Sequence, residues 1–289
     1  MYIVLNFKIY NFSELIYVNL TNNEMNFIIF FALIGFGVKM PIWPFYGWLP
    51  KAHVEAPTNF SIFLSGVLVK FAFFGFFKIL VTTQQDLQLQ FLYLWINVGI
   101  IEVSQKLFYQ TDLKRLIALT TVIEMHWVLL SIFNLTGLGI YSGLLMLSSH
   151  AIISSIFFLL TDCIARRYKT RLMYEISGLW WNAPILNSLI LITNLIFLGF
   201  PYTSFFLAEY LFLILLIDLN PINFVLVYFL IYVINPIIIF RAWVNILYGK
   251  TIITTEFKII DCTQTEFFLI LILIFQLIFL GFYPIWNIY

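Results

Sequence analysis

Residues 36–57 read FGVKMPIWPFYGWLPKAHVEAP. They follow an unbroken apolar run, yet they place Lys39 two residues before Pro41, with Pro44 and Pro50 close behind and a polar cluster of Lys51, His53 and Glu55 after them. Proline lacks a backbone N–H and its ring clashes with the preceding turn, so it frees carbonyls wherever it interrupts a helix. In a soluble protein the stretch would read as a loop, but its surroundings decide otherwise. Of 289 residues, 62% are hydrophobic and 10% charged, and the mean hydropathy is +0.99. So little charged surface cannot keep a chain of this size in water. The lysine and prolines therefore belong to a chain that crosses a hydrocarbon layer, where a charge at mid-span costs about 2.5 to 3.5 kcal/mol on insertion scales.

Several segments exceed the ~20 apolar residues needed for a helical crossing, and none alternates as a barrel strand does. The fold class is all-α, a polytopic membrane helix bundle. Hydropathy and breakers together predict about eight spans, at 26–48, 59–81, 89–106, 115–134, 138–162, 183–216, 221–248 and 266–286. Two of them read as broken helices. One is interrupted at Pro41 and Pro44; the other, 183–216, is too long for one crossing and is interrupted at Gly199 and Pro201. Residues 1–25 form a polar and aromatic amphipathic mixture, expected to lie at the interface before a transmembrane domain over 26–289, and no cleavable export signal is expected. Loops 48–58, 105–115, 163–182 and 249–265 carry Lys51, Lys106, Lys114, Arg115, Arg166, Arg167, Lys169, Arg171, Lys250 and Lys258, against Lys8 and Lys78 on the other side. That bias sets the basic loops on the cytoplasmic or matrix side and both termini opposite.

The ionisable residues left inside spans are Lys39, Lys70, Glu102, Glu124, His126, His150, Glu209 and Arg241. Each needs a partner, water or a task. A broken helix that holds Lys39 is a pattern by which transporters build a hydrated ion site, and an approaching or withdrawing carboxylate can switch such an amine between its charged and neutral forms. Lys70 lies too deep to snorkel fully, and Ser65 and Gly66 one turn earlier let a neighbouring helix or water approach. His150 is flanked by Ser148, Ser149, Ser154 and Ser155, which predicts a hydroxyl relay around an imidazole that titrates near neutrality. Glu209 follows the second break. Glu124 and His126, two apart, point to different faces, so at most one shares the polar axis. Glu102 is expected to pair with Lys106 at i+4, and Arg241 to snorkel. Cys163 and Cys262 lack a ligand spacing and read as ordinary small side chains, so no metal is expected. A net charge of +1 gives no reason to expect nucleic acid. Phosphate cradles, a Ser/His/Asp set, a haem motif and a dinucleotide fingerprint are all missing, so redox chemistry and cofactor binding within the chain are not expected.

The motifs VKMPIWPFYGWLPKAHVEAP, SGVLVKF, QTDLKRLIA, SSHAIISS and FPYTSFFLAEYL, in this order, resemble the subunit 4 family of mitochondrial NADH dehydrogenase, complex I. The resemblance runs from about residue 26 to the end. It implies an antiporter-like membrane-arm subunit that translocates protons while quinone is reduced elsewhere in the complex. By this resemblance Lys39, Lys70, His150 and Glu209 correspond to the lysines of the family's seventh and eighth helices, the histidine of the eleventh and the glutamate of the broken twelfth, and would pass protons in that order. Glu124 stands where the family commonly has histidine and is a further candidate. NADH, FMN, iron–sulfur clusters and ubiquinone would bind elsewhere in the complex. The implied partners are other membrane-arm subunits, membrane lipids and a separate polypeptide that supplies the front helices, including the glutamate that faces Lys39. The implied location is the mitochondrial inner membrane with basic loops toward the matrix. A structural membrane-arm subunit without its own proton path and a free-standing cation/proton antiporter are the competing readings.

Overall fold

The computed structural model describes residues 21–83, 90–133, 135–219, 229–250 and 261–282. Among the described residues the chain is helical, and its one β-type pairing is an isolated bridge between Asp112 and Leu172. The expected interfacial segment falls largely outside these residues, as do the termini. Of it, Thr21 caps α1 (Asn22–Gly37) in a capping box with Glu24, each side chain bonding the other's backbone N–H. α1 ends where the prolines require. After a 3-10 turn at Phe45–Gly47 the chain forms the short α2 (Trp48–Glu55). α3 runs Thr58–Phe63, passes through a π turn at Leu64–Leu68 and continues as Val69–Thr83.

α4 (Gln90–Phe108), α5 (Leu113–Phe133), α6 (Gly137–Tyr168), α7 (Pro184–Phe197) and α8 (Ser204–Leu219) follow. The chain then forms α9, a π segment Phe229–Ile234 that leads into Asn235–Tyr248, and α10 (Gln264–Phe282). Among the described residues five helices are long and apolar enough to cross a membrane: α3, α5, α6, α9 and α10. The two predicted broken spans appear as shorter apolar helices, α1 before the first break and α7 with α8 around the second. The predicted span at 89–106 corresponds to α4, which is not one of the five, and the polar residues Asn97, Glu102, Gln105 and Lys106 along its length are the reason.

The layers follow from which helices are apolar all round. α5 is buried over its whole span window, whereas only 22% of the α10 window is buried. A helix apolar on every side belongs at the centre of a bundle if protein covers it and at the rim if lipid does. α6 packs against α5 and α8 and also touches α3, α7 and α10. Its 32 residues span about 48 Å, more than the ~30 Å hydrocarbon layer, so its last turns project beyond the core.

The described parts of all four basic loops gather at that end. Arg171 Nη1 donates to the Val54 carbonyl at 2.8 Å and Lys114 Nζ to that of Ala56 at 2.8 Å. Met173 N–H donates to Thr111 at 2.9 Å, Arg167 to the Asp261 carbonyl at 2.9 Å, and Ser177 Oγ to the Lys250 carbonyl. The shared face expected from the charge count is therefore present.

The second break, residues 198–203, is clamped by α10. A Cβ on Gly281 would lie 2.5 Å from the Tyr202 carbonyl oxygen and 2.7 Å from Ser204 N, both backbone atoms that cannot swing aside. Gly281→Ala is therefore expected to destabilise the bundle by about 1–3 kcal/mol, the usual cost of overpacking a filled contact. Thermal melting of the purified assembly in detergent measures this, and an unchanged midpoint would contradict the clamp.

Candidate functional site

The first break exposes backbone groups, and side chains take them up. Trp48 Nε1 donates to the Val38 carbonyl at 2.7 Å. The Trp43 N–H donates to His126 Nε2 at 2.9 Å, while His126 Nδ1 lies 2.7 Å from the Val122 carbonyl. An amide can only donate and a carbonyl only accept, so His126 is neutral with its proton on Nδ1. Glu102 accepts from the Trp43 indole and, at 2.9 Å, from the Tyr46 hydroxyl. It pairs with Lys106 at 2.5 Å, as the i+4 spacing predicts, and Lys106 also donates to Tyr46 Oη at 2.6 Å. Lys39 is exposed, and no described contact joins it to Lys70, His150 or Glu209.

The second locus is on α3. Where a π turn returns to α-helical register, one carbonyl loses its backbone donor. Val69 N–H reaches back to Leu64, and the Lys70 amine donates to the next carbonyl, that of Ser65. Small residues bring α6 close at this point, as the sequence predicts. A Cβ on Gly66 would meet Ser155 Oγ at 3.5 Å, and Ser154 Oγ donates to Ser65 Oγ at 3.2 Å. Ser154 lies one turn beyond His150, so half-buried Lys70 comes within electrostatic reach of the His150 imidazole. His150 is 1% exposed and neither ring nitrogen has a hydrogen-bond partner among the described residues.

The third locus joins α5 to α8. Trp127, whose ring lies 4.6 Å from that of Phe212, donates its indole N–H to buried Glu124. Glu124 and Glu209 are within electrostatic reach of each other. Half-buried Glu209 packs into the second break, where Gly199 holds φ +82° and a Cβ would lie 3.0 Å from Glu209 Oε2. The left-handed backbone and the close carboxyl both require glycine there.

Two sequence expectations change, and one holds. The serines beside His150 are not its relay: Ser148, Ser149 and Ser155 bond carbonyls of their own helix at 2.7–3.1 Å, the local acceptors a mid-helix serine reaches first, and only Ser154 reaches across to α3. Glu124 and His126 do diverge, with Glu124 on the Glu209 side and His126 on the first break. His53, read as part of a polar loop, is fully buried on α2 with Leu49 and Pro50, stacked on Phe158 at 4.7 Å and within reach of the Lys70 and Lys114 charges. The i,i+4 spacing of Leu49 and His53, which puts both on one face of a short helix, was the available signal.

A sequence model of the family described as "NADH:quinone oxidoreductase/Mrp antiporter, TM" matches residues 1–235. NADH-ubiquinone oxidoreductase chain 4 of Paramecium tetraurelia is 35% identical over 254 residues, which is 87% of this chain and 53% of that protein. NADH-quinone oxidoreductase subunit M of Rickettsia felis is 34% identical over 223 residues, 74% of this chain and 45% of that protein. The chain thus spans about half the length of the curated relatives it matches. Respiratory complex I from Thermus thermophilus with bound NADH contains a chain of the same fold, at TM-score 0.84 and 24% identity, covering 94% of this chain and 58% of that one. The Mrp complex from Dietzia shares it at TM-score 0.70 and 19% identity, covering 75% and 41%. The chain belongs to the NADH:quinone oxidoreductase/Mrp antiporter transmembrane family.

Proposed function

We propose that this chain is a proton-translocating subunit in the membrane arm of a mitochondrial NADH:ubiquinone oxidoreductase. The observation that carries this reading is the Lys70 amine, tethered to the Ser65 backbone carbonyl within electrostatic reach of two buried histidines, His53 and His150. No ion pair holds it among the described residues. Glu124 and Glu209 continue the line of exchangeable groups across α5 and α8. Water that enters between these groups would carry protons along them, because the serines beside His150 bond backbone carbonyls or, for Ser154, also the Ser65 hydroxyl.

Exposed Lys39 takes its carboxylate from a neighbouring helical surface, of this polypeptide or another, and exposed Phe27, Phe30 and Phe31 on α1 suit such a contact. NADH, flavin, iron–sulfur clusters and ubiquinone act on other subunits of the complex, and this chain contributes the proton path. The basic loops face the matrix of the inner mitochondrial membrane. His53, on α2 at the basic face, is held neutral. Burial lowers its pKa to about 4, and the Lys114 and Lys70 charges push the same way. A neutral imidazole at the matrix end can accept a proton and pass it toward Lys70.

Replacing Lys70 or Glu209 with alanine in the assembled complex is expected to cut proton pumping, and the quinone reduction coupled to it, by about tenfold or more. Reconstituted vesicles with a pH-sensitive dye measure the first and NADH oxidation the second. Normal stoichiometry in an assembled mutant would leave only the structural reading. A second expectation concerns His53. With a folded pKa near 4 and an unfolded value of 6.5, the unfolded chain takes up the proton first as pH falls. The stability present above pH 6.5 is therefore lost progressively down to pH 4, by up to about 3 kcal/mol. His53→Phe removes that titration while keeping a ring against Phe158, so its melting temperature should fall less steeply over the same window. Parallel pH profiles for the two proteins would reject the neutral imidazole.

A further inference from the structure

Two cysteines about a hundred residues apart in the sequence meet in the fold. Cys163 is buried near the end of α6; Cys262 is partly exposed in the turn that enters α10. The two side chains are neighbours across this junction, since the Arg167 guanidinium bonds both the Cys163 carbonyl and that of Asp261, the residue before Cys262. Neither backbone is free to drift. Arg167 Nη1 donates to the Cys163 carbonyl at 2.9 Å, and its Nη2 donates to the Asp261 carbonyl at 2.9 Å and to Glu266 Oε2 at 2.7 Å. One guanidinium thus fixes both sides of the pair. Arg166 pairs with Asp162 and Glu266 at 3.0 Å each and reaches within 3.9 Å of Cys163 Sγ. The Asp261 carboxylate accepts from Cys262 N–H at 2.7 Å and from the N–H groups of Ile185 and Leu186 at 2.8 and 3.1 Å, which ties the same turn to the first turn of α7.

We propose that Cys163 and Cys262 form a reversible dithiol–disulfide site that fastens the basic-face end of α6 to the turn before α10. Among the described residues no group of three or more His, Cys, Asp or Glu side chains could hold a metal, so the two sulfurs have each other as the available partner. The roles are unequal. Cys262 is the accessible sulfur, and the neighbouring Cys163 thiol, helped by the Arg167 charge, lowers its pKa below the ordinary thiol value. The oxidant is a peroxide. The Cys262 thiolate attacks one oxygen of hydrogen peroxide and the O–O bond breaks. Cys262 becomes a sulfenic acid, and the departing hydroxide takes up a proton to leave as water. Cys163 then loses its proton and displaces hydroxide from the sulfenic sulfur, giving the S–S bond and a second water. Two thiols and one peroxide yield one disulfide and two waters, and a dithiol reductant reverses the sequence. The closed bond would join the helix that carries His150 to the turn that also holds the start of α7, limiting relative movement of α6 and the broken α7–α8 pair.

The test uses membranes that contain the intact complex, titrated with hydrogen peroxide, blocked with iodoacetamide, digested and analysed by mass spectrometry. A peptide pair linked through Cys163 and Cys262, lighter by two hydrogens than the sum of its parts and separated by dithiothreitol, is expected. In Cys163→Ser a dimedone adduct should accumulate on Cys262, and in Cys262→Ser the Cys163 thiol should stay unmodified at the same dose. Recovery of both cysteines as separate alkylated thiols after peroxide, or a sulfenic acid on Cys163 alone, overturns the proposal. Should either serine variant fail to assemble, the presence or absence of the linked pair in the unaltered complex decides.

Discussion

A peptide group that loses its helical partner within hydrocarbon costs several kcal/mol, and this chain loses such partners where two proline- or glycine-marked breaks and a π turn interrupt its helices. The residues that answer that cost are also the ones with exchangeable protons or charges. His126 accepts from the Trp43 N–H, Lys70 donates to the Ser65 carbonyl, and the Trp48 indole covers Val38. At the second break Gly199 gives room to the Glu209 carboxyl. Helix irregularity and ionisable chemistry are thus a single feature. A continuous α3 would satisfy its own backbone and leave the Lys70 ammonium without the Ser65 carbonyl.

The charges fall into two populations with different work. The ion pairs Lys106–Glu102, Arg166–Asp162, Arg166–Glu266, Arg167–Glu266 and Arg171–Asp112 all belong to helix ends and loops of the basic face. Isolated exposed pairs of this kind contribute little, but here a guanidinium such as Arg167 also bonds backbone carbonyls and so fixes loops in register. Inside the bundle, Lys70, Glu124, His150 and Glu209 form no ion pair among the described residues. A closed pair there would be a fixed strut, since removing either partner strands the other.

Much of this was legible in the sequence, and the misses have physical causes. Pro41 and Pro44 announce the first break, and Gly199 with Pro201 the second, because proline removes a backbone donor and glycine allows the left-handed turn that Gly199 adopts. Ser65 and Gly66 one turn before Lys70 correctly marked the close approach of α6. The serines around His150 misled, because counting hydroxyls near an imidazole ignores that each can bond a carbonyl of its own helix first. The π turn has no compositional signature, since it differs from the α-helix by one residue of register. His53 hid in a stretch polar enough to look like a loop, where tertiary cover by Phe158 decided its burial. The meeting of Cys163 and Cys262 depends on how α6 ends and α10 begins, which no local pattern encodes.

These points converge on α6. It faces α3 through Gly66 and Ser65, α8 along much of its length, and the turn before α10 through Arg166 and Arg167. A displacement of α6 therefore changes the Lys70–His150 separation and the packing around Glu209 together. The Lys70 tether sets how readily that happens. A hydrogen bond from a charged group to one carbonyl contributes about 1.5–3 kcal/mol, against roughly 3–5 kcal/mol lost when a buried ion pair is broken. A carboxylate presented by a neighbour thus competes on favourable terms with the Ser65 carbonyl. The amine is held by one hydrogen bond within electrostatic reach of two histidines, an arrangement that leaves it open to a competing partner, as a closed ion pair would not.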